Sequence, residues 1–140
     1  MSINQVKIGV PQNNRWFPCP SAVTSGMPCL IGGLAVVAMD AYDSTTGGTT
    51  FHLDGSFSLT VIGQSTKSPE SGLQINPGDE IFATGTLDST TNVTYNLTLD
   101  VTRGNIPFGN LDQNAAILSG VTNTGAVVRL KTGGSTAYAA

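Results

Sequence analysis

Charge is scarce in this chain: 11% of the residues are Asp, Glu, Lys or Arg, and the formal net charge is −3. The six basic residues are scattered along the sequence. Binding to phosphate backbones requires clustered Lys and Arg, so the composition argues against a nucleic-acid partner. Histidine is rarer still, with His52 the single example. A metal centre or a general base needs partners at a useful spacing, and there is no G-x-S-x-G elbow, H-E-x-x-H pair or Cys–His cluster to supply them. No enzymatic activity and no cofactor are expected. Only Cys19 and Cys29 carry thiols. The start "MSINQVKIGV" lacks the basic end, apolar stretch and cleavage site of a secretory signal, so synthesis in a cytoplasm is expected. Two reduced, partly buried thiols are the expected state there, although the sequence leaves their pairing open.

Long apolar runs are also missing. The most apolar stretch, "SGMPCLIGGLAVVA" from Ser25 to Ala38, contains Pro28 and the Gly32-Gly33 pair. A membrane-spanning helix needs about 18 or more predominantly apolar residues, which this stretch does not provide. A phosphate-binding loop needs Lys-Ser/Thr after its glycines, whereas "LAVVA" follows here. Two short apolar runs joined by residues that tolerate positive φ read instead as a hairpin of two buried strands.

What is abundant is Thr, Ser, Asn and Gly, residues that favour turns and the wet faces of sheets over helices. The 140 residues suit one domain, which at this size buries roughly two-thirds of its unfolded surface. Two segments alternate. In "TTFHLDGSFSLTV", Phe51, Leu53, Phe57, Leu59 and Val61 share one face of a half-buried strand bent at Gly55. In "VTYNLTLDV", Val93, Tyr95, Leu97, Leu99 and Val101 face the core, with Thr94, Asn96, Thr98 and Asp100 toward water. The Asn76-Pro77-Gly78-Asp79 stretch has the residues of a type II turn, with a strand expected after it. "QNAAILSG" reads equally as a helical turn or a strand, and "AVVRLK" as a last strand. The expected fold is all-β, a compact single-domain barrel or sandwich of about seven or more short strands. Residues 1–20, with Pro11, Pro18 and Pro20, read as an extended N-terminal arm or an edge segment, 21–132 as the β-domain and 133–140 as a flexible tail.

Few residues stand out as functional. His52 falls on the polar face of its strand. Asp40, Asp43 and Asp54 lack the spacing of a calcium loop, and Asp79 beside Glu80 is explained by the turn. The Asn-x-Thr sequons at Asn92 and Asn96 lie on a Thr-rich strand, where chance matches are common. Arg15, Trp16 and Phe17 are the exception. Trp and Arg are enriched at interface hot spots, and these three sit together within the proline-flanked arm. They are read either as a contact anchor or as a cap on the protein's own core, mostly buried in the assembled state in both cases.

The stretch "VTSGMPCLIGGLAVVAMDAYDSTTGGTTFHLDGSFSL", with "INPGDEIFATGTL" and the closing "VVRL", resembles a family of small phage β-proteins associated with capsid cement or decoration. The resemblance spans about residues 20 to 131. It implies a non-enzymatic virion protein that binds the outer surface of an icosahedral head and clamps neighbouring capsomers. The implied partners are the major capsid protein and further copies of the chain, as a homo-oligomer and by analogy a trimer. The alternative expectation is a carbohydrate- or receptor-binding β-module of a phage tail or adhesin, suggested by Thr/Asn-rich strand faces and by Tyr42, Tyr95 and Tyr138.

Overall fold

The computed structural model describes residues 14–62, 74–101, 105–118 and 122–131. Residues 1–13 of the expected arm and the whole of the expected tail lie outside them. The described chain is all-β, and none of it forms a helix long and apolar enough to cross a membrane. The strands are β1 (Asn14–Pro18), β2 (Pro28–Ile31), β3 (Leu34–Ala38), β4 (Gly48–His52), β5 (Ser56–Ile62), β6 (Gln74–Ile75), β7 (Glu80–Asp88), β8 (Val93–Asp100), β9 (Ile106–Leu111), β10 (Ile117–Leu118) and β11 (Thr122–Leu130).

Nine of them form one sheet in the order β1-β4-β3-β2-β8-β5-β11-β9-β7, and β7 also pairs with β8. That last pairing closes a ring, β8-β5-β11-β9-β7, which makes the barrel. The remaining strands, β2, β3, β4 and β1, form a wing. Strand β8 is the fork between them. One of its edges runs antiparallel to β7 from Val93 to Asp100. The other meets β2 at Val93 and Thr94 and then β5, in parallel, at Leu99. β6 and β10 form a separate two-stranded ribbon, from which the fully buried Ile75 joins the barrel core.

The fork coincides with a bulge. Thr84 lies opposite Thr98 but Thr86 lies opposite Tyr95, so Asn96 and Leu97 together face Gly85. Asn96 takes a left-handed φ of 52°, a conformation Asn tolerates better than most residues because its short side chain bonds locally. Bulges of this kind bend a strand and increase its twist. Here the bend carries β8 from one core to the other: Val93 belongs to the wing's core and Leu99 to the barrel's.

The apolar Ser25–Ala38 stretch is the hairpin expected of it. β2 and β3 pair from Pro28↔Val37 to Ile31↔Leu34, turning through Gly32 at φ 60° and Gly33. The absence of alternation has a cause. Leu30, Ala35 and Val37 pack into the barrel core while Cys29, Val36 and Ala38 pack into the wing's own core, and a strand buried on both faces has no wet positions to fill.

The two alternating segments are more divided than their pattern implies. Phe51 and Val61 are both fully buried, but they lie on β4 and β5, with Phe51 in the wing's core and Leu59 and Val61 in the barrel's. In β8, Asp100 is 4% exposed and does not face water. A period-two reading assumes an uninterrupted strand with one wet face, whereas β8 has strand neighbours on both edges and a bulge in its middle.

Candidate functional site

β1 is the outermost strand of the wing. Its register on β4 runs from Asn14↔His52 to Pro18↔Gly48, and its other edge has no strand partner among the described residues. Consecutive side chains on a strand point to opposite faces, so the three residues read as one cluster separate. Arg15 and Phe17 share the face of the wing's core. Phe17 packs partly buried against that core, its ring 6.1 Å from Phe51 at 59°. The Arg15 guanidinium stands 5.3 Å from the centre of the Phe17 ring, a cation–π contact that leaves its charge at the surface. Trp16 lies on the other face and is 45% exposed.

Gly48 makes this docking possible. A Cβ at this position would stand 2.2 Å from the Phe17 carbonyl oxygen and 2.8 Å from Trp16 Cζ2. The missing side chain lets β1 approach and lets the indole lie across β4. Trp16, Ile62 and Leu87 are the large apolar side chains left exposed among the described residues. Leu87, at 59% the most exposed, rims a hollow of about 290 Å³ with Ile106 and Thr94 over the β8 fork. Sequence patterning gives no sign of Leu87, since it ends a strand whose inner half alone is apolar.

A second concavity, about 460 Å³, lies where the Pro77-Gly78 turn, the end of β9 and β11 converge, and Asn110, Asp112, Asn114 and Arg129 line it. Its walls are tied together. Gly78 N–H donates to the Leu111 carbonyl at 2.8 Å, Asn110 Nδ2 to the Gly78 carbonyl at 3.0 Å, and Asp112 N–H to the Val127 carbonyl at 2.8 Å.

The side chains weighed for a metal or for acid–base chemistry make local contacts. His52 is half-buried and its ring lies 5.1 Å from that of Phe57. Asp43 Oδ1 accepts from Thr45 N–H at 2.9 Å, Asp54 Oδ1 from Gly55 N–H at 2.8 Å, and Asp79 Oδ2 from Asn76 N–H at 2.8 Å. The first and third close turns, as Asp commonly does with nearby backbone, and the second joins adjacent residues. No group of three or more His, Cys, Asp or Glu is placed to hold a metal among the described residues. Cys19 and Cys29 are free, buried thiols of the wing's core. Burial pushes the Cys29 thiol up to about 12, with a smaller push from Cys19, and burial also raises Cys19.

No known family matches the chain, and neither a curated protein nor a solved structure is found similar to it.

Proposed function

We propose that this chain is a structural virion protein, a capsid decoration protein that binds the outer surface of an icosahedral phage head and clamps neighbouring capsomers. It is made in the host cytoplasm and assembles, as a homo-oligomer with the trimer favoured by resemblance, on the major capsid protein. The observation that carries this reading is Trp16, 45% exposed on a strand whose outer edge has no strand partner among the described residues. Exposing a large indole costs solvation free energy unless a partner covers it, and Trp is the residue most often found at the energetic centre of an interface. The wing that carries it joins a closed ring of strands through β8, a scaffold already ordered, so little order has to be gained on docking. Repetition over a shell multiplies a modest affinity per copy.

The test is co-sedimentation of the full chain with purified empty heads of the encoding phage, together with the temperature at which those heads open. Saturable binding that raises the opening temperature supports the proposal. Absence of binding refutes it and favours the second reading, a carbohydrate- or receptor-binding module, for which the polar concavity at Arg129 is the specific observation.

A further inference from the structure

The polar concavity has the features of a small-ligand site. It lies away from Trp16, and its occupancy does not depend on the capsid reading. It is about 460 Å³ in volume and open to solvent, with Asn110, Asp112, Asn114 and Arg129 all exposed on its walls. Arg129 on β11 and Asn110 on β9 line it from adjacent strands, set by the register Arg129↔Asn110, and Ser56 on β5 pairs with Arg129 on the other side. One rim is the Pro77-Gly78 turn and the other is the loop from Asp112 to Asn114.

The hydrogen-bond inventory distinguishes supporting groups from free ones. Gln113 is engaged at both ends: its Oε1 accepts from Val127 N–H at 2.9 Å and its Nε2 donates to the Ala115 carbonyl at 2.8 Å. It pins the loop to β11. Asn110 spends its Nδ2 on Gly78, leaving its Oδ1 open. Asp112 Oδ2 accepts from Ser56 Oγ, leaving Oδ1. The side chains of Asn114 and Arg129 have no hydrogen-bond or ion-pair partner among the described residues. The concavity is therefore lined by one guanidinium and one amide without such partners and by one further oxygen each of Asn110 and Asp112.

The chemistry of that set defines its ligand. A guanidinium with an open fork matches a carboxylate in a two-point contact. The acceptors at Asn110 and Asp112 and the amide of Asn114 match hydroxyl groups, which both donate and accept. Among the described residues no aromatic ring lines the cavity to stack on a neutral sugar, so the charged group leads recognition there. We infer that this concavity binds a polyhydroxy carboxylate of the acidic-monosaccharide class, a hexuronate unit of a surface glycan, with Arg129 on the carboxylate and Asn110, Asp112 and Asn114 on the hydroxyls.

Titration of the isotopically labelled full chain with sodium glucuronate, followed by amide chemical shifts, tests this in the absence of any capsid. The expected result is saturable shifts confined to Gly78, Asn110 to Asn114 and Arg129, with sodium acetate and glucose each binding at least about tenfold more weakly. Arg129→Gln, at an exposed position where the fold is not at stake, is expected to lower glucuronate affinity at least about tenfold with an unchanged melting temperature. Asn114→Ala should weaken glucuronate but not acetate. The inference is overturned if glucuronate gives no saturable shift, if acetate saturates the same residues equally well, or if Arg129→Gln binds as the parent does.

Discussion

A Cβ on Gly85 would lie 2.5 Å from the carbonyl oxygen of Tyr95 and 2.8 Å from Leu97 Cδ2. The bulge that turns β8 from the wing's core to the barrel's therefore fits only against a glycine. Gly85→Ala forces backbone apart at the fork, and overpacking of this kind costs about 1–3 kcal/mol. The denaturant midpoint should fall accordingly. On the other side of the bulge, Asn96→Gly should be close to neutral, while Asn96→Val, a β-branched residue at positive φ, should lose about 1–3 kcal/mol.

The two cores make a contrast testable by truncation. Leu99→Ala, at a residue 1% exposed in the barrel, should destabilise by about 2–5 kcal/mol. Leu87→Ser, at a residue 59% exposed, should change stability by no more than about 0.5 kcal/mol. Equal losses at the two would mean that the register of β7 on β8 is wrong.

Gly48→Ala acts on one strand alone. The methyl group would meet the Phe17 carbonyl and the Trp16 ring, so β1 should leave β4 while the closed ring stays folded. The expected outcome is a red-shifted Trp16 emission and rapid hydrogen exchange at Arg15 and Phe17, with exchange at Leu99 and Val128 still slow.

The thiols carry a pH prediction. In the unfolded chain Cys29 ionises near 9.0, and in the folded protein near about 12. A folded-state value raised in this way means that the native state holds its proton longer. The stability this contributes is complete below 9.0 and is lost as pH rises toward about 12. Cys29→Ala removes that dependence, so the difference between parent and variant in denaturant midpoint should change across this window and be flat below it. At about pH 8 an alkylating reagent should leave both cysteines unmodified in the native protein and modify both in denaturant, because the thiolate is the reactive form.

Local chemistry made much of this fold legible. Gly32-Gly33 between two apolar runs marks a hairpin, and Pro77-Gly78 marks a turn in which Asp79 N–H donates to the Asn76 carbonyl at 3.0 Å and Gly78 has φ 89°. What local pattern could not carry is pairing between distant segments. The break at Leu53–Gly55 is silent because Phe51 and Phe57 keep the same parity across it, although Gly55, at φ 117°, was the signal of a bend. The fork at β8 depends on β2, β5 and β7 arriving together. Arg15, Trp16 and Phe17 were legible as an unusual cluster. Their separation onto two faces follows only once Asn14–Pro18 is a strand, and the surrounding prolines fit an arm as well as the edge segment that it forms. The concavity at Arg129 assembles residues 77–78, 110–114 and 129, whose spacing in sequence gives no sign of a site.

On the capsid proposal, Trp16 is the residue through which this protein holds a shell. Replacing it with Ala and measuring occupancy on purified empty heads tests this most directly, with the melting temperature of the free variant as the control. The account predicts a free protein that melts within a few degrees of the parent, and an occupancy constant reduced roughly thirtyfold, the equivalent of about 2 kcal/mol for a truncated hot spot. Undiminished occupancy of heads by a folded Trp16→Ala variant would contradict it.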